Sequence, residues 1–164
     1  MRRALLATTA ILVLTVAPAG AAPPTAGVLV PGSSLGGLRL GATKAQVESA
    51  WGRAYGVCSN CPRETWYFNY FAFQPRGVGV ELRRGRVVAL FTIHSPSGWR
   101  TRQGLELGAG VAEVRGLYGA LKRIDCDGYY ALVLERAGMR TAFYILRERL
   151  WAFGLSRAGF PVCR

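Results

Sequence analysis

Gly37-Leu38-Arg39-Leu40-Gly41-Ala42 recurs 67 residues later as Gly104-Leu105-Glu106-Leu107-Gly108-Ala109. The match runs on through Ala45/Ala112, Val47/Val114, Trp51/Tyr118 and Gly52/Gly119, nine identities or aromatic exchanges within 16 positions. Self-similarity at a fixed offset is the mark of a duplicated unit. Further along, Val80-Glu81-Leu82 aligns with Phe143-Tyr144-Ile145, and Ala89-Leu90 with Ala152-Phe153, now at an offset of 63. The second copy is therefore the shorter one between its helix and its hairpin.

Each copy reads alike locally. Thr43 is a helix N-cap and Gln46, three residues on, completes a capping box; Gly110 and Glu113 hold the same places in the second copy. A short helix then runs to Trp51 or Tyr118, where Gly52 or Gly119 supplies a left-handed C-terminal residue. Strands are expected at Trp66–Phe73, Val78–Leu82 and Val87–Ile93, and again at Tyr129–Leu134, Thr141–Leu146 and Leu150–Leu155. Gln74-Pro75-Arg76-Gly77 sets Pro and Gly where a type I turn wants them, and Arg84-Gly85 is a tight-hairpin signal. The expected class is α+β: two tandem helix-plus-antiparallel-sheet repeats forming one continuous sheet with helices on one face. Residues 22–35 read as an irregular lead-in, 36–95 as repeat 1, 96–102 as a connector and 103–164 as repeat 2.

The first 21 residues read as an address. Met1-Arg2-Arg3 is basic, Ala4 to Val16 carries no charge, and Ala19-Gly20-Ala21 fits the small-x-small pattern of a secretory signal peptide. A membrane span needs about 20 apolar residues, which here would have to include Pro18. Residues 1–21 are thus expected to be removed, leaving a secreted or extracytoplasmic chain without a transmembrane segment. In that setting four cysteines read as two disulfides with three possible connectivities. The preferred pairing is Cys58–Cys61 and Cys126–Cys163, the second tethering residues that would otherwise fray. The rival is a redox-active C-x-x-C, but such sites usually open a helix, whereas Cys58 and Cys61 follow one and precede Pro62 and a strand. A zinc site would need all four thiolates, or thiolates with the single histidine, His94, in a reducing compartment. No metal and no cofactor are expected.

Composition narrows the function further. Apolar residues at 51% against 18% charged exclude a disordered chain. The formal charge of +12 could favour an acidic envelope component, but the arginines are spread along the chain. Arg83, Arg84 and Arg86 form the densest group, on a hairpin tip where solvated charge is ordinary. Nucleic acid is not the expected partner, since no recognised module is present.

The motif G-x-x-L-G-x(5)-V-x(4)-G, read at Gly37 to Gly52 and again at Gly104 to Gly119, resembles that of the β-lactamase-inhibitor-protein-like superfamily, which includes small outer-membrane assembly lipoproteins. The resemblance covers roughly residues 36–160. It implies tandem helix-plus-sheet units that bind other proteins on the concave face of the sheet, and no catalytic residues.

Other motifs resolve into ordinary structure. Gly108 to Glu113 is better explained by helix capping than by a dinucleotide fingerprint, because its third glycine position is Glu113. Asp125-Cys126-Asp127-Gly128 lacks the further ligands of a calcium loop and reads as a turn. His94 beside Ser95 is a strand-end histidine, not a nucleophile pair.

Strand parity is more informative. Pairing Leu82 with Val87 sets Val78, Val80, Leu82, Val87, Ala89 and Phe91 on the helix-side face, with Phe71 and Phe73 beside them. Trp66, Phe68, Tyr70, Glu81 and Val88 then lie opposite. In copy two Phe143, Ile145, Leu150 and Ala152 are core, and Tyr144, Trp151 and Phe153 lie opposite. A face that should meet water is instead aromatic, which marks a partner site. Trp66, Phe68, Tyr70, Tyr144, Trp151 and Phe153 are the expected contacts for a protein or acidic envelope partner. Burial of that face by residues 22–35, or in a homodimer, is the alternative. The chain therefore reads as an exported, non-enzymatic binding module. The other readings are a thiol-disulfide oxidoreductase using Cys58 and Cys61, and a structural envelope protein without a discrete ligand.

Overall fold

The computed structural model describes residues 22–70 and 76–164, so the expected signal peptide, Phe71, Phe73 and part of the Gln74–Gly77 turn lie outside the described residues. The elements in chain order are β1 (Gly27–Val30), β2 (Ser34–Leu35), β3 (Leu38–Arg39), α1 (Lys44–Trp51), β4 (Tyr55–Val57), β5 (Glu64–Phe68) and β6 (Gly77–Arg83). There follow β7 (Arg86–Ile93), β8 (Trp99–Thr101), α2 (Val111–Tyr118), β9 (Lys122–Asp125), β10 (Tyr130–Arg136), β11 (Met139–Leu146) and β12 (Arg149–Arg157). Eight strands form an antiparallel sheet in the order β4-β5-β6-β7-β12-β11-β10-β9, and a smaller sheet runs β3-β2-β1-β8.

Local chemistry explains the hairpins and helices. Arg84-Gly85, Ala137-Gly138 and Arg147-Glu148 each place two successive residues at positive φ, the twist that closes a two-residue hairpin. The capping box at α1 forms in both directions: Gln46 N–H donates to Thr43 Oγ1, and Thr43 N–H to Gln46 Oε1. At α2 the N-cap is Gly110, which has no side chain to cap with. Ahead of each helix a Gly-Ala pair docks onto a sheet strand. Gly41 N–H donates to Val87 O (2.7 Å) and Val87 N–H to Ala42 O; Gly108 N–H donates to Leu150 O (2.6 Å) and Leu150 N–H to Ala109 O.

The expected α+β arrangement of tandem helix-plus-sheet repeats is not what forms. Strands hold 47% and helices 12% of the described residues, with two sheets and only two helices among them. Each helix is eight residues, about two turns, too short to cover an eight-stranded sheet. The smaller sheet completes the layer. Its β1 pairs in parallel with β8, joining the supposed lead-in 22–35 to the supposed connector 96–102. Leu29, Leu35, Leu38 and Trp99 are thereby buried with Val47, Trp51 and Val114 against the large sheet. Residues 22–35 thus cover the helix-side face and not the opposite one.

Two β-bulges decide which side chains face which layer. Leu82 pairs with Val87 but Glu81 with Ala89, leaving Val88 as the extra residue; Ile145 pairs with Leu150 but Tyr144 with Ala152, leaving Trp151 extra. An extra residue reverses the alternation beyond it. Leu90 and Phe153 therefore join the helix-side core, while Ala152 packs on the other face. Trp66 and Phe68 were expected outward. They pair with Val80 and Val78 and are buried beside them, because β5 ends at Phe68 and residues 69–76 separate it from β6. Trp66, Phe68 and Phe153 are core residues and not partner contacts.

Candidate functional site

The face of the large sheet away from the helices carries a second, smaller apolar cluster of Ala131, Val133, Ala142, Tyr144, Ala152 and Val162. Val162 comes from the segment after β12, which crosses this face as a strap. Ala158 N–H donates to Gly138 O, Tyr144 Oη donates to Val162 O (2.7 Å), and the Cys126–Cys163 disulfide ties the strap down beside β9. Tyr129 Oη donates to Arg164 O and accepts from Arg164 N–H, both at 2.7 Å. Two glycines shape the floor. A Cβ on Gly79 would meet the Phe91 ring at 2.4 Å, and one on Gly154 would meet Tyr144 Oη at 2.6 Å. Each gap lets an aromatic side chain from the adjacent strand lie across the sheet.

The strap covers one part of the face and leaves beside it a cavity of about 600 Å³. Tyr67, Tyr70, Phe91, His94, Tyr129 and Trp151 form its walls, and Cys58, Cys61 and Cys163 stand among the lining residues. Tyr67 and Tyr70 are 5.2 Å apart by ring centroid, and Tyr129 meets Trp151 edge-on at 5.5 Å. Ser95, beside His94, holds the backbone at Trp151. Its N–H (2.8 Å) and its Oγ (2.9 Å) both donate to Trp151 O, which spends the hydroxyl on positioning.

An ion cluster lies within the same cavity. Buried Glu81 accepts from Arg63 Nε (2.7 Å) on one oxygen and pairs with Arg164 Nη1 (2.9 Å) on the other. Glu81 thus holds two guanidiniums, and no other Asp or Glu side chain stands among the described residues that line the cavity. Two buried donors, Trp151 Nε1 and Arg164 Nε, have no hydrogen-bond partner among the described residues. Burial raises the Tyr67 hydroxyl above the ordinary phenol value, and the Glu81 charge and Tyr70 raise it further. Tyr144, fully buried under the strap, is raised more strongly by the same loss of solvent, against a smaller opposing effect of Arg164.

Of the six expected contacts, Tyr70, Tyr144 and Trp151 come together at the cavity, and Trp66, Phe68 and Phe153 do not. Sequence reading missed Tyr67, Phe91 and Tyr129 as walls, and Arg63 and Arg164 as ion partners. One signal was available: Glu81 within the apolar run Val78–Leu82 requires cations wherever the strand is buried. Cys58–Cys61 and Cys126–Cys163 are both formed, as the preferred pairing has it. Such bonds persist in oxidising compartments. Among the described residues no His, Cys, Asp and Glu group could hold a metal, and no helix is long and apolar enough to cross a membrane.

No family model matches the chain, and no curated protein matches it. Among solved structures, it is similar to a DUF4309 family protein (YjgB) from Bacillus subtilis subsp. subtilis str. 168, with a TM-score of 0.56 at 15% identity over 75% of this chain and 84% of that one. It also aligns with an extracellular protein containing a SCP domain from Bacillus anthracis str. Ames, at a TM-score of 0.49 and 10% identity over 72% of this chain and 44% of that one. The first likeness shows the fold alone. Neither neighbour is described as a member of the β-lactamase-inhibitor-protein-like superfamily.

Proposed function

We propose that this chain is an exported binding protein, without catalytic activity, that holds its ligand in the aromatic cavity of the large sheet. The observation that carries this reading is the cavity itself: about 600 Å³ lined by seven aromatic or imidazole residues, with two buried N–H donors unpartnered among the described residues. Concave, mostly apolar sites of about 300–1,000 Å³ with a few placed polar groups are the usual form of ligand pockets. Cysteines of both disulfides line it, which suits a site that must keep its shape outside the cell. The ligand is an envelope component or a segment of a partner protein, in keeping with the motif resemblance to a superfamily that binds proteins on its sheet.

The test is an aromatic-fragment titration of the oxidised chain followed by amide and indole N–H resonances. Shifts should concentrate on the Trp151 indole, Tyr67 and Tyr70. Shifts scattered over the surface, or none, would sink the proposal. The thiol-disulfide reading rests on Cys58 and Cys61 lining this cavity. Their loop follows β4 and opens no helix, so the dipole that lowers a reactive thiol's pKa is missing. Insulin reduction abolished by Cys58→Ser would favour that reading instead.

A further inference from the structure

The charges and donors inside the cavity narrow the ligand's chemistry. An aromatic cage with a carboxylate would suit a cation, since ring faces and Glu81 both attract positive charge. Here both oxygens of Glu81 are already engaged, one by Arg63 and one by Arg164, so that carboxylate is not free to hold a cationic ligand. The side chains of Glu81 and Arg164 are 9% and 12% exposed, which keeps solvent from screening this ion group. The unpartnered atoms point the same way. Trp151 Nε1 and Arg164 Nε are both donors, and neither finds an acceptor among the described residues. A buried donor is satisfied only by an acceptor, and a charged acceptor makes the stronger bond to a guanidinium.

Resting on the reading of the cavity as a binding site, we infer that it selects an aromatic group bearing a carboxylate. The ring lies among Tyr67, Tyr70, Phe91 and Trp151. The carboxylate accepts from Arg164, and a further acceptor on the ligand satisfies the Trp151 indole. Arg164 then acts as the specificity-determining residue, held for that role by Glu81 on one nitrogen and by the Cys163 disulfide next to it in the chain.

Three probes of one ring system separate the possibilities: 2-naphthoate, the neutral 2-naphthamide, and a naphthylmethyl-trimethylammonium salt, each titrated calorimetrically into the oxidised chain at neutral pH. 2-Naphthoate should bind about tenfold or more tighter than the amide, and the ammonium weakest. Arg164→Gln should erase the preference for the acid over the amide. Trp151→Phe, which keeps a ring but loses the donor, should weaken the acid several-fold. Equal affinity for acid and amide would overturn the inference while the cavity stands as a binding site. So would tightest binding of the ammonium, or a preference that survives Arg164→Gln. Binding of none of the three would remove both the inference and the proposed function. If Arg164→Gln fails to fold, the wild-type comparison of the three probes still decides.

Discussion

At the scale of single residues, Phe143, Phe153 and Trp151 separate packing from recognition. Phe143 and Phe153 are fully buried against each other and against the helix-side layer. Truncating a buried Phe costs about 3–5 kcal/mol, so Phe143→Ala and Phe153→Ala should each lower stability by that order in chemical denaturation. Trp151 is half-buried, lines the cavity, and meets the rings of Tyr129, Tyr144 and His94 beside the smaller apolar cluster. Trp151→Ala should cost clearly less, about 1–2 kcal/mol, below the range for a fully buried aromatic, while abolishing the fragment shifts. The contrast between Trp151 and Phe153 also tests the bulge, since uninterrupted alternation would set both on one face. Equal destabilisation by Trp151→Ala and Phe153→Ala would place Trp151 in the core.

At the scale of elements, the two disulfides should contribute unequally. Cys126–Cys163 closes a separation of 37 residues and Cys58–Cys61 one of 3. The chain-entropy relation gives about 4 kcal/mol for the longer loop and about 2 kcal/mol for the shorter. Cys163→Ser should therefore destabilise more than Cys61→Ser. Its first effect should be on the strap: amide exchange over 158–164 should quicken before exchange in β10 to β12 does. Equal losses, or an unchanged strap, would show that the Tyr129 and Tyr144 hydrogen bonds hold that segment alone. The hairpins that this strap crosses were legible in advance because Arg84-Gly85 and the alternation around it are local signals. The bulges at Val88 and Trp151 were not. A bulge is set by which residue stands opposite, and no single strand carries that information.

At the scale of the whole molecule, buried tyrosines should set the alkaline limit. Loss of solvent raises Tyr144 strongly and Tyr67, Tyr118, Tyr55 and Tyr130 to lesser extents. For Tyr144 the neutral hydroxyl is the form that donates to Val162 O. A folded-state pKa above the unfolded value of about 10 means that the native chain holds protons the unfolded chain releases. The associated stability is complete below about pH 10 and is lost as pH climbs toward the folded-state value. Urea unfolding should thus show a fall above pH 10, with Tyr144 alone contributing about 1.4 kcal/mol per pH unit. Tyr144→Phe should flatten that slope, and an unchanged slope would show that Tyr144 ionises freely in the folded chain.

The amino-acid sequence by itself determined the local pieces: the capped helix after Thr43, the central hairpin strands and a preference among the three pairings of the four cysteines. Each depends on residues near in sequence, or on a chemistry that leaves few partners. The tertiary structure alone decided the class and the site. Residues 22–35 carry too little apolar periodicity to announce β1 and β2, yet pairing of β1 with β8, some 70 residues away, makes them half of a covering layer. The cavity depends on three long-range facts: two bulges that redirect Trp151 and Phe91, an eight-stranded register that aligns Tyr67 with them, and a strap that carries Arg164 onto Glu81. Long-range pairing has no periodic signature in the chain because its energy is realised only once both partners are buried together.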